Sequence, residues 1–265
     1  MIPKNFLQLT LIFRKFLTPD IFELVFEKPA GFTYAPGQFV QFKIPARNAS
    51  RSDAGGPQEN NPAASSGASF VLRTYSIASH PGEPELKFCV KDLPDGKAPA
   101  YFKNLKIGDG VEVALPAGYF VLQPSPVQTN IFIATGTGLA PVRSLVLESL
   151  KNNFSTKLLF GVRREEDIFW DRELTAWATQ YKNFSYLLTL SRPSENWTGS
   201  ATSAGSEQAG SPQAGLKGRV SAHLPALIQS EAEYYLCGSL PMVKEVRQIL
   251  LEHKIDSSRI HFEIF

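Results

Sequence analysis

In the first half of this chain apolar and polar residues alternate, and in the second half the apolar residues gather into solid blocks. Residues 6–17 and 21–27 show strand-like alternation and are separated by Thr18-Pro19-Asp20, which predicts a hairpin. Phe22, Leu24 and Phe26 fall on one face of the second strand. Tyr34-Ala35-Pro36-Gly37-Gln38 reads as a turn before a strand over 39–44, and Phe70-Val71-Leu72 leads into another strand. Over 85–91 the pattern places Leu86, Phe88 and Val90 inward and Lys87, Cys89 and Lys91 outward, so Cys89 is expected at the periphery. After the turn Leu93-Pro94-Asp95-Gly96, residues 98–103 predict a short helix with Pro99 in its first turn, and a last strand covers 111–114. Six strands and one helix within about 122 residues predict a small closed antiparallel barrel.

Beyond residue 130 the pattern changes. Ile131-Phe132-Ile133-Ala134 is continuously apolar, as a strand buried on both faces of a parallel sheet must be. Helices predicted over 141–150, 170–180, 221–229 and 241–253 alternate with strands over 157–161, 184–189, 234–237 and 260–265. Such alternation predicts a doubly wound parallel sheet. The chain therefore divides into an antiparallel unit, 1–122, and an α/β unit, 123–265. Residues 47–69 and 198–215 interrupt the pattern with small and polar residues; they bury too little apolar surface to offset their ordering entropy and are expected to be disordered loops.

Composition narrows the function classes. With 265 residues, 43% of them hydrophobic, the chain can bury a large core, and a net charge of +2 argues against a nucleic-acid face. No apolar run approaches the 18 or so residues of a membrane span. Met1-Ile2-Pro3-Lys4-Asn5-Phe6 lacks the features of a secretory signal, so a cytoplasmic protein, read as a monomer, is expected. Cys89 and Cys237 are the only cysteines, too few for a four-cysteine cluster, and no metal site is expected.

Three stretches carry candidate chemistry. Arg73-Thr74-Tyr75-Ser76 closes a strand where an arginine two residues before a tyrosine can hold a pyrophosphate while the phenol packs on a flat ring; an ordinary barrel strand with a snorkelling Arg has the same residues. Thr135-Gly136-Thr137-Gly138 follows the first parallel strand and opens a helix, so its amides can meet a pyrophosphate, although a structural tight turn reads the same way. Tyr235-Leu236-Cys237-Gly238-Ser239 ends a strand at the carboxyl edge, where open sheets bind ligands, and a buried inert thiol is the alternative for Cys237. Arg163 and the pair Ser191-Arg192 follow two further strands at the same edge and suit phosphate groups; a strand-end arginine without a ligand fits Arg192 equally.

Arg-x-Tyr-Ser, Gly-Thr-Gly-Leu-Ala-Pro and Cys-Gly-Ser-Leu-Pro-Met, in that order and followed by the terminal Glu263-Ile264-Phe265, resemble the motifs of the ferredoxin-NADP reductase family. The resemblance covers nearly the whole chain outside the two inserts. It implies a Greek-key antiparallel barrel for FAD, a parallel α/β sheet for NADPH or NADH, and hydride transfer to the flavin N5 followed by single-electron release. Ferredoxin, flavodoxin or an oxygenase component is the implied acceptor. Under it Ser76 bonds near N5, Tyr75 stacks on the flavin, Cys237 with Gly238 and Met242 positions the nicotinamide, Glu263 handles protons, and Phe265 covers the other flavin face. Arg73, Thr74 and the amide of Ala98 would serve the flavin phosphates. Ala98-Pro99-Ala100 departs from the Ser or Thr usual in the family there. Two other readings are an electron-transfer subunit of a larger complex and a non-catalytic flavin- or nucleotide-binding sensor. NADPH is slightly preferred over NADH because Ser191-Arg192 resembles the pair that binds the 2′-phosphate.

Overall fold

The computed structural model of the chain describes residues 5–46, 70–197 and 215–265. Two sheets organise it. The antiparallel sheet contains β1 (Phe6–Thr18), β2 (Ile21–Glu27), β3 (Phe39–Pro45), β4 (Phe70–Ser76), β5 (Glu85–Lys91) and β6 (Gly110–Ala114), with helix α1 (Lys97–Asn104) between the last two. Its strand order is β4-β3-β6-β1-β2-β5. Among the described residues no ladder joins the two ends of that order; the seam is closed just past β4, where the Ala78 amide donates to Lys87 O at 2.8 Å and the Lys87 amide donates to Ser79 Oγ at 3.1 Å. Phe22, Leu24 and Phe26 of β2 fill the interior with Phe42, Phe88 and Phe102, and each such side chain contributes roughly 1.5–3 kcal/mol by leaving water.

The parallel sheet has the order β10-β9-β8-β7-β11-β12. Its strands are β7 (Thr129–Thr135), β8 (Ser155–Val162), β9 (Phe184–Leu190), β10 (Leu216–Lys217), β11 (Glu233–Gly238) and β12 (Ile260–Ile264). Alternate residues of β7 face opposite ways. Phe132 and Ala134 join the cluster under α2 (Leu139–Lys151) and α3 (Asp171–Gln180). Ile131 and Ile133 join that under α4 (Val220–His223) and α5 (Leu240–Glu252). Helices thus cover both faces, as a doubly wound sheet requires. Among the described residues no helix is long and apolar enough to cross a membrane.

Two local expectations need correction, and one element was missed. Cys89 is not peripheral: it is 6% exposed and belongs to the α2/α3 cluster with Ile21 and Ala78, because the second unit covers the outer face of β5. The helix expected over 221–229 stops after one turn and continues as a 3₁₀ turn, Leu224–Leu227. Pro225 has no amide hydrogen to continue the ladder. The two-residue β10 was not foreseen; it becomes a strand by adding to the edge of β9, Leu216 opposite Thr189. The segment 47–69 and all but one residue of 198–215 lie outside the described residues.

Candidate active site at the junction of the two sheets

Strand order reverses between β7 and β11, so the connections leaving their carboxyl ends diverge and open a crevice there, the usual ligand site of an open parallel sheet. Two of the three motifs meet in it at backbone distance. A Cβ on Gly138 would lie 2.2 Å from Cys237 O, and one on Gly238 would lie 2.2 Å from Thr135 Oγ1 and 2.7 Å from Met242 Cε. Gly238 also has φ +155°. Neither position admits a side chain, which is why the loops can touch. Gly136, at φ +53°, instead faces open space. Its 3₁₀ turn with Thr137 leads directly into α2, so amides at the start of that helix are presented beside an uncluttered approach for a phosphate.

The third motif arrives from the barrel. Ser76, the buried last residue of β4, places Oγ 3.5 Å from Glu263 Oε2, a contact between residues 187 apart in sequence. Glu263 is the register partner of Cys237 in the β11–β12 ladder. Burial drives the Glu263 carboxyl up to about 7, with the Ser76 hydrogen bond pulling slightly the other way. Cys237 is 0% exposed, and burial, reinforced by the nearby Glu263 charge, holds its thiol well above the usual range. A neutral thiol is a poor nucleophile, so Cys237 serves here as a packed wall. The Phe265 amide donates to Gly238 O at 3.1 Å while its ring is half exposed at the end of β12.

The remaining expected residues divide into two groups. Tyr75 leans inward, edge-on to Phe42 and Phe102 at 5.7 and 5.3 Å, and burial raises its phenol to about 12. Arg73 and Thr74 are exposed, and among the described residues Arg73 Nη1 bonds only Leu72 O, which leaves guanidinium donors for an anion. Ala98 is 2% exposed, so it can offer a ligand its backbone alone, and Met242 is buried beneath Gly238 as a prop. Ser191, Arg192 and Arg163 come together at the carboxyl edge of β8 and β9: the Arg192 amide donates to Arg163 O at 2.8 Å and the Ser191 amide to Val162 O at 3.1 Å. Both arginine side chains are exposed. Close by, Thr189 Oγ1 is buried with no partner among the described residues.

Tyr119, His261, Phe262 and Arg143 were not singled out from sequence, whereas the turn 114–118 was, as room for the AMP half of FAD. A cavity of about 630 Å³ beside Glu263 is lined by Gln38, Phe39, Gly118, Tyr119, His261 and Phe262, among others. The turn Ala114-Leu115-Pro116-Ala117-Gly118 forms part of its wall, the Ala117 amide donating to Phe39 O and the Phe39 amide to Ala117 O, both at 2.9 Å. Arg143 of α2, 3% exposed, joins the two units by bonds to Glu83, Glu173 and Ala78 O. Nothing local marks it: helical arginines are usually solvated, and its partners are 30 to 65 residues away. No group of His, Cys, Asp or Glu among the described residues is placed to hold a metal.

These surroundings fit a flavin and a nicotinamide nucleotide. Tyr75, partly buried, and Phe265, half exposed, offer aromatic surface to a flat ring, Arg73 is exposed for phosphate, and the Gly136 turn opens on free space that suits a second pyrophosphate. Comparison with known proteins agrees. An oxidoreductase FAD-binding domain model matches residues 62–122, and an oxidoreductase NAD-binding domain model matches 132–248. Ferredoxin--NADP reductase B of Sorangium cellulosum is 31% identical over 93% of this chain and 92% of its own length. The electron transfer component of 2-halobenzoate 1,2-dioxygenase from Burkholderia cepacia is 28% identical over 92% of this chain, which spans only 62% of that relative. Among solved structures, the ferredoxin NADP+ reductase of Neisseria gonorrhoeae with bound FAD and NADP superposes with a TM-score of 0.72 over 98% of both chains; its 19% identity speaks for the fold alone.

Proposed function

The chain belongs to the ferredoxin-NADP reductase family, and on that premise we propose that it binds FAD and NAD(P)H and passes electrons from the nicotinamide to ferredoxin, flavodoxin or an oxygenase component. The observation that carries this reading is the meeting of Ser76, Glu263 and Cys237, drawn from both units onto one spot. A bound flavin would supply the ability to accept a hydride and return electrons singly, which would let a two-electron donor serve a one-electron acceptor. The chain's own residues bind, orient and exclude water. Arg73 neutralises flavin phosphate, Tyr75 and Phe265 bracket the ring plane, and Cys237 limits how deep the nicotinamide can sit. Ser76 Oγ and Glu263 Oε2 hold and release a proton at the ring's edge; a carboxyl titrating near 7 can do either at neutral pH.

The flavin unit of this reading is 1–122 and the nucleotide unit 123–265, and the protein acts as a cytoplasmic monomer. A complex-bound subunit or a non-catalytic sensor is not favoured. The test is anaerobic stopped-flow: purified protein should be yellow, release FAD and be reduced by NADPH or NADH, and a colourless protein that takes up no FAD sinks the proposal. Arg73→Ala should weaken FAD retention by about 1.5–3 kcal/mol, the contribution of a charge-assisted hydrogen bond. Ser191 and Arg192 read the 2′-phosphate in this proposal. Arg192→Ala then raises the NADPH KM about tenfold, or 1.4 kcal/mol, and barely changes that for NADH; equal losses with both would remove Arg192 from the site.

A further inference from the structure

The β11–β12 ladder pairs Tyr235 with His261 just before it pairs Cys237 with Glu263. Residues two apart on a strand share a face, so His261 stands roughly 7 Å along from Glu263, and both line the 630 Å³ cavity. The imidazole is closely held. Its ring lies 4.9 Å from that of Tyr235, and Nε2 is 2.8 Å from Glu233 Oε2. The other Glu233 oxygen accepts from Ser125 Oγ at 2.8 Å, and Ser125 is half-buried at the surface. In the neutral ring Nε2 therefore carries the hydrogen that Glu233 accepts. No described residue bonds Nδ1, which is left to receive a proton.

The proposed reaction requires such a receiver. NAD(P)H and two oxidised acceptors give NAD(P)⁺, two reduced acceptors and one proton, which must leave the place where Ser76, Glu263 and Cys237 meet. We infer that His261, oriented by Glu233, is the proton carrier that follows Glu263, and that Glu233 and Ser125 form its outlet to solvent. The proton leaves Glu263 Oε2 and passes through water in the shared cavity to Nδ1 of His261, the imidazolium gives up its Nε2 proton on the Glu233 side, and return of a hydrogen from Nδ1 to Nε2 restores the starting ring; no electrons move. The charged and titratable groups facing the ring are Glu233 and Tyr235 on β11, Glu263 on its own strand, and Tyr119 across the cavity.

The inference rests on the function proposed above, and two measurements on the FAD-loaded full chain separate their failures. In the first, the His261 Cε1 resonance of ¹³C-histidine protein is followed with pH. The wild type should show a second inflection near 7, absent in Glu263→Gln; superposable titrations in the two proteins overturn the inference. In the second, the reduced enzyme is oxidised by ferricyanide with a pH-indicator dye present. His261→Gln keeps a donor to Glu233 but carries no proton, and it should slow proton release about tenfold or more, with added imidazole restoring release in His261→Ala. Unchanged release in His261→Gln, or no response of His261→Ala to imidazole, overturns the inference. Failure of NADPH and NADH to reduce the wild-type flavin would overturn the parent reading instead.

Discussion

Glu263 is the residue at which stability and the proposed function oppose each other. Burial raises its carboxyl from 4.5 to about 7, more than the Ser76 hydrogen bond lowers it. The folded protein thus holds that proton more tightly than the unfolded chain does, so the associated stability is complete below pH 4.5 and is lost as pH rises through 7. Glu263→Gln should accordingly melt higher than wild type at pH 8, by a margin that shrinks toward pH 4.5; thermal melts at the two pH values check it, and a margin independent of pH would contradict the burial argument. Gly138 makes a second residue-scale case. A methyl there meets Cys237 O at 2.2 Å, and backbone cannot swing aside as a side chain can. Gly138→Ala should therefore weaken NADPH binding at least about tenfold, or 1.4 kcal/mol, while FAD stays bound, as calorimetry and flavin absorbance would show.

At the scale of elements, legibility followed how local the determining forces are. β2 and β5 occupy the residues that alternation predicts, because a strand in a small barrel is bounded by its own turns. α2 starts two residues before the expected 141 because the Gly136–Gly138 turn winds into it. Cys89 and β10 were misread or missed since their environments are made by segments distant in sequence: the second unit covers one and β9 creates the other. The motifs at 73–76, 135–138 and 237–242 were visible as strings, yet their backbone contact, the Ser76–Glu263 approach and the Glu233–His261 pair exist only after folding. α1 illustrates the same limit. It has no side-chain N-cap, and its carboxyl end is capped from β1, where Arg14 Nη1 donates to Phe102 O and Lys103 O at 2.7 Å and to Leu105 O at 3.2 Å. Arg14→Met should destabilise the protein by about 1.5–3 kcal/mol in urea, and a loss under 0.5 would show that solvent caps those carbonyls equally well.

In the whole molecule, the proposed site depends on how firmly the units are joined, because Ser76 belongs to one and Cys237 and Glu263 to the other. The joint is polar and buried. Arg143 bonds Glu83 of the barrel and Glu173 of α3, with its guanidinium 5.4 and 5.5 Å from the rings of Trp170 and Trp177. Ser144 Oγ donates to Ser79 O at 2.8 Å, His80 meets Glu148 at 2.7 Å, and Trp170 Nε1 donates to Glu23 at 3.1 Å. Burial alone would lift the Glu83 carboxyl, but hydrogen bonds and charge from Arg143, aided by the His80 amide and Lys87, outweigh it and hold it at about 2. A depressed carboxyl contributes stability above its unfolded value of 4.5 that disappears as pH falls toward 2, so acid should loosen the joint in that window. Removing Glu83 takes away charge-assisted hydrogen bonds across the joint while Glu173 keeps the guanidinium paired, at a cost of about 1.5–3 kcal/mol. Glu83→Ala should therefore slow flavin reduction, and in urea its tryptophan fluorescence transition, reporting Trp170 and Trp177 beside Arg143, should precede flavin release. Coincident transitions with a loss below about 1 kcal/mol, the worth of an exposed pair, would mean that apolar contacts such as Ile21, Ala78 and Cys89 against α2 hold the units together unaided.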